Sequence, residues 1–117
     1  MRMAKSIAKF NQSEVKLLIR VLKVQTYVKS NSAGDQKGLD TPGITALADL
    51  TQTIKTKGQV DLAAHRDLDS NNYAEELRDD ITTYLNYADS INILTPKLKK
   101  NCLTLQDKIN NYLKKQK

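Results

Sequence analysis

Apolar residues recur at alternating spacings of four and three in three segments of the chain, and this spacing is the feature that most constrains the fold. Side chains at this spacing line one side of an α-helix. The three rows are Met3, Ile7, Phe10, Leu17, Val21, Val24 and Val28; Leu77, Ile81, Tyr84, Ala88 and Ile91; and Leu98, Cys102, Leu105, Ile109 and Tyr112. No alternation of apolar and polar residues competes with them. The sequence therefore predicts an all-α protein without β-strands.

The first row can be read in two ways. Its spacing favours one helix from about Met3 to Lys29, in which Glu14 is the only polar interruption. Asn11 followed three residues later by Glu14 is also the pattern of a capping box, which would start the helix near Ser13 after a short amphipathic arm. We favour the continuous helix. In both cases further apolar residues widen the stripe, so the helix is expected to pack on several neighbours.

Two Thr-Pro pairs predict the starts of the second and fourth helices. Thr41 with Pro42, and Thr95 with Pro96, each place a capping residue before a proline, which the first helical turn accepts. Gly58 is expected to end the second helix. A helical turn or two is expected over 60–68, and the cap of the third helix should lie among the polar residues that follow.

These elements predict an antiparallel bundle of four helices, three long and one short. A chain of 117 residues can bury one core but not two. We expect a single domain over 1–117, with flexible ends at 1–5 and 114–117 and a polar loop at 30–41. A homo-oligomer is the alternative. The short second helix would cover the other three only weakly, and a second copy of the chain could complete their core.

The charge of the chain is unevenly distributed. The net charge is +6, yet residues 1–30 and 96–117 each contain seven basic residues and one acidic residue, whereas 31–95 contain five basic and eleven acidic ones. The acidic middle should attract the basic ends, within the bundle or between copies. This attraction would leave less positive charge for nucleic acid than the net charge implies.

Neither a membrane span nor a signal peptide is visible in the sequence. No apolar run approaches the roughly 20 residues that cross a bilayer, and the N-terminal residues lack a continuous apolar stretch. We therefore expect a cytoplasmic protein that has no membrane partner. Cys102 is the only cysteine, so we expect a reduced, partly buried thiol without a chemical role.

Metal sites are not favoured by the sequence. Asp67, Asp69 and Asn71 match the first ligands of a calcium loop, but Asn72 stands where the loop needs glycine and Arg78 where it needs a bidentate carboxylate. We interpret these side chains as helix caps instead. His65 lacks the histidine or cysteine companions of a metal ligand and is expected to form hydrogen bonds at the surface. No metal or other cofactor is expected.

Catalysis is not favoured either. The chain has one histidine, and it has no nucleophile-elbow or glycine-rich phosphate-binding pattern. Paired carboxylates occur in the third helix, where a solvated acidic face is the simpler interpretation. These residues are Glu75, Glu76, Asp79 and Asp80. We therefore predict no catalytic residues and no enzyme.

Basic residues form the most informative surface pattern. Lys9, Lys16, Arg20 and Lys23 share one side of the first helix, and the fourth helix adds Lys97, Lys100 and Lys108. If the two surfaces were adjacent, they would attract phosphate backbones without reading sequence. A solvated face, partly neutralised by the acidic middle, is the interpretation we favour. No recognition-helix pattern or aromatic stacking platform supports nucleic-acid binding.

The expected function is that of a small interaction protein that regulates, inhibits or protects by docking on a protein partner, an expectation based on analogy with other small bundles. The alternative is a nucleic-acid-binding protein without sequence specificity that uses the basic faces of the first and last helices. The candidate partner-binding residues are Lys9, Lys16, Arg20, Lys23, Lys97, Lys100 and Lys108.

Overall fold

The computed structural model describes residues 7–32, 41–64 and 72–115, without the side chains of 29–32 and 41–46. In these residues the chain forms β1 (Ile7–Lys9), α1 (Gln12–Ser32), α2 (Thr41–Lys57), β2 (Gln59–Asp61), α3 (Tyr73–Ser90) and α4 (Pro96–Lys115). The predicted all-α helical bundle is confirmed. The second helix is the shortest, but its 17 residues are close to the 18 of α3.

The first helix begins at Gln12, so the favoured prediction of a continuous helix from Met3 is wrong, and the alternative with a break near Asn11 is confirmed. The Asn11 side chain accepts a hydrogen bond from the Glu14 N–H at 2.8 Å, and the Glu14 carboxylate accepts one from the Asn11 N–H at 2.9 Å. This capping box satisfies two backbone donors that a helix start leaves free. Glu14 therefore interrupts the apolar row because it belongs to the cap.

A two-stranded antiparallel sheet corrects the predicted absence of strands. It also replaces the start of the helical turns predicted over 60–68, of which 65–68 lie outside the described residues. β1 pairs with β2 so that Ala8 lies opposite Val60. Gly58 starts the turn into β2 with a φ of 64°, a left-handed conformation that glycine adopts without strain. Its N–H donates to the Ile54 carbonyl and ends α2, while its own carbonyl accepts from the Phe10 N–H, both at 2.8 Å.

The sheet brings the starts of α1 and α3 to the same end of the molecule. β1 leads directly into α1, and the first residues of α3 donate hydrogen bonds to the chain just after β2, from Tyr73 to Ala64 and from Ala74 to Leu62. α2 ends beside β2, and α4 returns after the short connection at 91–95. The helices therefore alternate in direction, as in an up-and-down bundle. α1 packs mainly on α2 and α3, and α4 packs mainly on α3.

One aliphatic core joins all four helices and β2. Its fully buried large side chains are Leu18, Leu22, Leu47, Leu50, Ile54, Leu77, Ile81, Leu105 and Ile109. Four apolar residues assigned to the helix stripes are instead exposed: Ile7, Val28, Ile91 and Leu103. Ile7 lies in β1, Val28 is in the last part of α1, and Ile91 follows α3. Leu103 is one residue, or about 100°, around the helix from buried Cys102.

Two predicted helix starts are confirmed by their hydrogen bonds. Asn72 caps α3, since its side chain accepts from the Glu75 N–H at 3.1 Å and its own N–H donates to the Glu75 carboxylate at 3.2 Å. Thr95 caps α4, because its hydroxyl accepts from the Leu98 N–H at 3.1 Å. α2 begins at Thr41, whose side chain lies outside the described part of the chain.

Two helices extend into segments that were predicted as a loop and a tail. α1 continues to Ser32, three residues into the predicted loop at 30–41, and α4 includes Lys114 and Lys115 of the predicted end at 114–117. The rest of that loop and the predicted ends at 1–5 and 116–117 lie outside the described residues, apart from Thr41, which is helical. No helix in the described ranges is long and apolar enough to cross a membrane.

Candidate binding groove

An open groove of about 540 Å³ runs between α1 and α4. It exists because both helices pack on α3, which leaves their facing sides apart. The residues that line it are Asn11, Ser13, Glu14, Lys16, Leu17, Arg20, Lys97, Leu98, Asn101, Thr104 and Leu105. Its volume is in the range of about 300 to 1,000 Å³ found for ligand pockets. Three of the seven candidate basic residues therefore line one concave site.

Three cations line the groove, and we call Lys16, Arg20 and Lys97 the groove cations. Lys16 and Arg20 are one helical turn apart on α1, while Lys97 lies in the first turn of α4. All three side chains are exposed. None of them forms a hydrogen bond or salt bridge with another residue in the described part of the chain. The groove therefore presents three exposed positive charges among the described residues.

The apolar part of the groove consists of three leucines, which we call the groove leucines. Leu17 is 9% exposed and Leu105 is 1% exposed, while Leu98 is half-buried and packs against the core. Asn101 and Thr104 also line the groove, and their side chains carry an amide and a hydroxyl group. The site can therefore combine contact with apolar groups, hydrogen bonding and attraction of negative charge.

Lys108, one of the candidate partner-binding residues, makes contacts within the fold. Its ammonium group lies 3.3 Å from the Glu14 carboxylate and 4.7 Å from the centre of the Phe10 ring, and it donates a hydrogen bond to the Lys9 carbonyl. These contacts join α4 to the start of α1 at the sheet end of the groove. The Lys108 charge is therefore used within the fold.

The remaining predicted residues are not in the groove. Lys9 belongs to β1, so the predicted row of four cations does not lie on one helix, although its side chain is exposed. Lys23 and Lys100 are exposed three residues beyond Arg20 and Lys97, but neither lines the groove. They extend the basic character of the two helices without contributing to the concave surface.

Lys97 was predicted from the sequence, but Asn101 and Thr104, the other polar residues that α4 contributes to the groove, were not. Lys97, Asn101 and Thr104 are spaced by four and three, the spacing of residues on one side of a helix. This row runs beside the apolar row that begins at Leu98. A search for a second, polar row along the same helix would have found these residues.

The acidic face predicted on α3 is only partly solvated. Asp80 is 4% exposed, so its assignment to a solvated face is wrong, and Glu75 and Glu76 are half-buried. Asp80 immediately precedes Ile81, which is in the core row of α3 and is completely buried. Asp79 is exposed and pairs with Arg78 at 3.0 Å.

The residues considered for metal binding or reactivity give no competing site in the described structure. Asp67, Asp69, Asn71 and His65 lie outside the described residues. The described residues contain no group of three His, Cys, Asp or Glu side chains that could hold a metal ion. Cys102 is a free thiol, as predicted, and its complete burial raises its pKa above the ordinary value of 9.0.

A second groove, of about 530 Å³, lies between the start of α3 and the end of α4. Its charged lining residues are of both signs: Glu75, Arg78, Asp107 and Lys114. It therefore favours neither an anionic nor a cationic ligand. The groove between α1 and α4 is distinguished by its three cations and its apolar surface.

Comparison with protein-family models, curated proteins and solved structures found no significant match. What the groove binds has to be inferred from its own residues.

Proposed function

We propose that this protein is a small cytoplasmic binding protein without catalytic activity, which regulates, inhibits or protects a protein partner by docking on it. The observation that carries this proposal is the convergence of the groove cations on an open surface that also exposes part of Leu98 and a small part of Leu17. Protein interfaces typically combine an apolar core with a polar rim. Arginine is also among the residues that contribute most to such interfaces.

Nucleic-acid binding is the second candidate, and the same three cations favour it. Lys23 and Lys100 would extend a surface suited to phosphate groups. Two observations favour a protein instead. Lys108 is paired with Glu14 and packs on Phe10, so its charge is not free for a phosphate group. Among the described residues that line the groove, there is also no aromatic side chain on which a base could stack.

Capture from an extract of the cells that produce the protein tests the docking function. The bait would be wild-type protein, a groove variant with Lys16→Glu, Arg20→Glu and Lys97→Glu, or a control variant with Lys55→Glu, Lys99→Glu and Lys115→Glu. The control lysines are exposed and do not line the groove, so both variants change the net charge equally. Circular dichroism would verify that each variant is folded.

After nuclease treatment of the extract, we expect wild-type and control baits to retain the same protein, and the groove variant to lose it. Equal capture by the groove variant would exclude the groove as the docking surface. Capture that disappears with nuclease for every bait would favour the nucleic-acid candidate, because the protein would then be held through DNA or RNA.

A further inference from the structure

Resting on the proposed docking function, we infer that the groove recognises a short acidic peptide segment of the partner that carries leucine-like anchor side chains. Three features of the groove favour such a ligand: the placement of its cations, its leucines and the carboxylate at one end.

The cations lie on both sides of the groove. Lys16 and Arg20 belong to the α1 side and Lys97 belongs to the α4 side. A segment lying between the helices would therefore meet positive charge on either flank, and carboxylates on both of its sides could pair. The Arg20 guanidinium can also donate two parallel hydrogen bonds to one carboxylate. This arrangement favours a ligand with several separate acidic groups.

The groove leucines favour a peptide over a phosphate backbone. Apolar side chains of a ligand would remove the exposed parts of Leu17 and Leu98 from water, which is favourable. Sugars and phosphates offer no comparable apolar group. An amphipathic peptide offers apolar anchors on one side and charges on its flanks, as in the binding of helices to grooves.

The sheet end of the groove offers no unpaired positive charge in the described structure. The Glu14 carboxylate lines the groove there and is held by the Asn11 N–H and by Lys108. A uniformly anionic polymer would find no free cation at this end, whereas a peptide can place an uncharged residue there. The lining of α1 extends over residues 13–20, about 10 Å at the helical rise of about 1.5 Å per residue. The ligand segment is therefore short.

Fluorescence anisotropy with defined probes tests this chemistry. The main probe is a labelled peptide of about 15 residues with leucines on one helical face and glutamates on its flanks. One comparison peptide has serine for each leucine, and another has glutamine for each glutamate. Labelled single-stranded and duplex DNA and RNA of similar length complete the set. Each probe is titrated at low and at high salt.

We expect the acidic leucine peptide to bind best, and each comparison peptide to bind at least about tenfold more weakly. The groove variant should lose about tenfold or more in affinity for the main probe, and the control variant should retain it. Leu98→Ala should weaken binding of the leucine peptide more than that of the serine peptide. Because Leu98 contacts the core, a melting curve of this variant accompanies the titration.

Equal binding of the leucine and serine peptides would overturn the inference, because the groove would then be a purely electrostatic site. Tighter binding of DNA or RNA than of any peptide would overturn it in favour of phosphate. If no peptide binds but a protein is still captured through the groove, the ligand chemistry is wrong and the docking function stands. If the groove variant also captures that protein normally, both proposals fail.

Discussion

Cys102 and Leu103 are neighbours on α4, yet the first side chain is completely buried and the second is 42% exposed. Burial disfavours the charged thiolate, and it raises the pKa of the Cys102 thiol. The pKa of Cys102 is higher in the folded state than in the unfolded state. Its contribution to the free energy of unfolding is therefore fully present when the pH is below the unfolded pKa, and it is lost as the pH rises through the folded pKa.

We predict that the Cys102 thiol reacts with a disulfide reagent at pH 8 only when the protein opens. Labelling should be slow in the native protein and fast in denaturant, because only an exposed thiolate attacks the reagent. The matched control is a Leu103→Cys variant, which places a second thiol at the exposed neighbouring position. One thiol of this variant should react rapidly and the other slowly. Rapid reaction of Cys102 in the native wild-type protein would contradict its burial.

At the scale of single residues, the sequence predicted most of the core but not every exposed apolar side chain. Leu77, Ile81 and Leu105 are buried as their spacing indicates. The spacing of apolar residues predicts the centre of the buried stripe on a helix. The width of that stripe depends on how the neighbouring helices pack around it, which the spacing does not reveal. For the same reason, free Lys16 could not be distinguished from engaged Lys108, whose partners come from the opposite end of the chain.

Two elements of the bundle begin with the same capping box. Asn11 with Glu14 starts α1, and Asn72 with Glu75 starts α3. Asn and Glu stand three residues apart at both sites. The continuous apolar row favoured a helix through the first site, and the cap of the third helix was predicted only as one of several polar residues. A row of correct spacing does not require a helix at each of its positions. Ile7 is exposed in β1, and Phe10 is buried between the strand and the helix start.

The sheet could not be predicted from local patterns. Each strand has three residues, too few to show an alternation of apolar and polar side chains. The pairing of Ala8 with Val60 also joins distant parts of the chain. The candidate groove depends on similar long-range information, because its two sides come from α1 and α4 and its shape comes from their common packing on α3.

We predict that Asn72→Ala destabilises the protein by about 0.5 to 2 kcal/mol, because it removes the side-chain acceptor of the α3 cap. Asn72→Ser should retain most of the stability, since a serine hydroxyl also accepts from the third helical N–H. Urea denaturation followed by circular dichroism measures both variants. Equal destabilisation by alanine and serine would show that Asn72 acts through something other than its capping bond.

At the scale of the whole molecule, two salt bridges between described residues each lie within one kind of charged segment. Lys108 pairs with Glu14 within the basic end segments, and Arg78 pairs with Asp79 within the acidic middle. The groove cations place three like charges on one surface. We therefore expect their mutual repulsion to destabilise the folded protein.

The last prediction tests this repulsion by neutralising the groove cations with Lys16→Gln, Arg20→Gln and Lys97→Gln. If these side chains mainly repel one another, the free energy of unfolding at low salt should increase, by up to about 1 kcal/mol because exposed charges interact weakly. The increase should disappear near 1 M salt, where charges are screened beyond about 3 Å. Lys108→Gln is the control and should decrease stability, since Lys108 pairs with Glu14 and Phe10. If the triple substitution instead decreases stability at low salt, the groove cations are engaged with acidic residues in solution and are not free for a ligand.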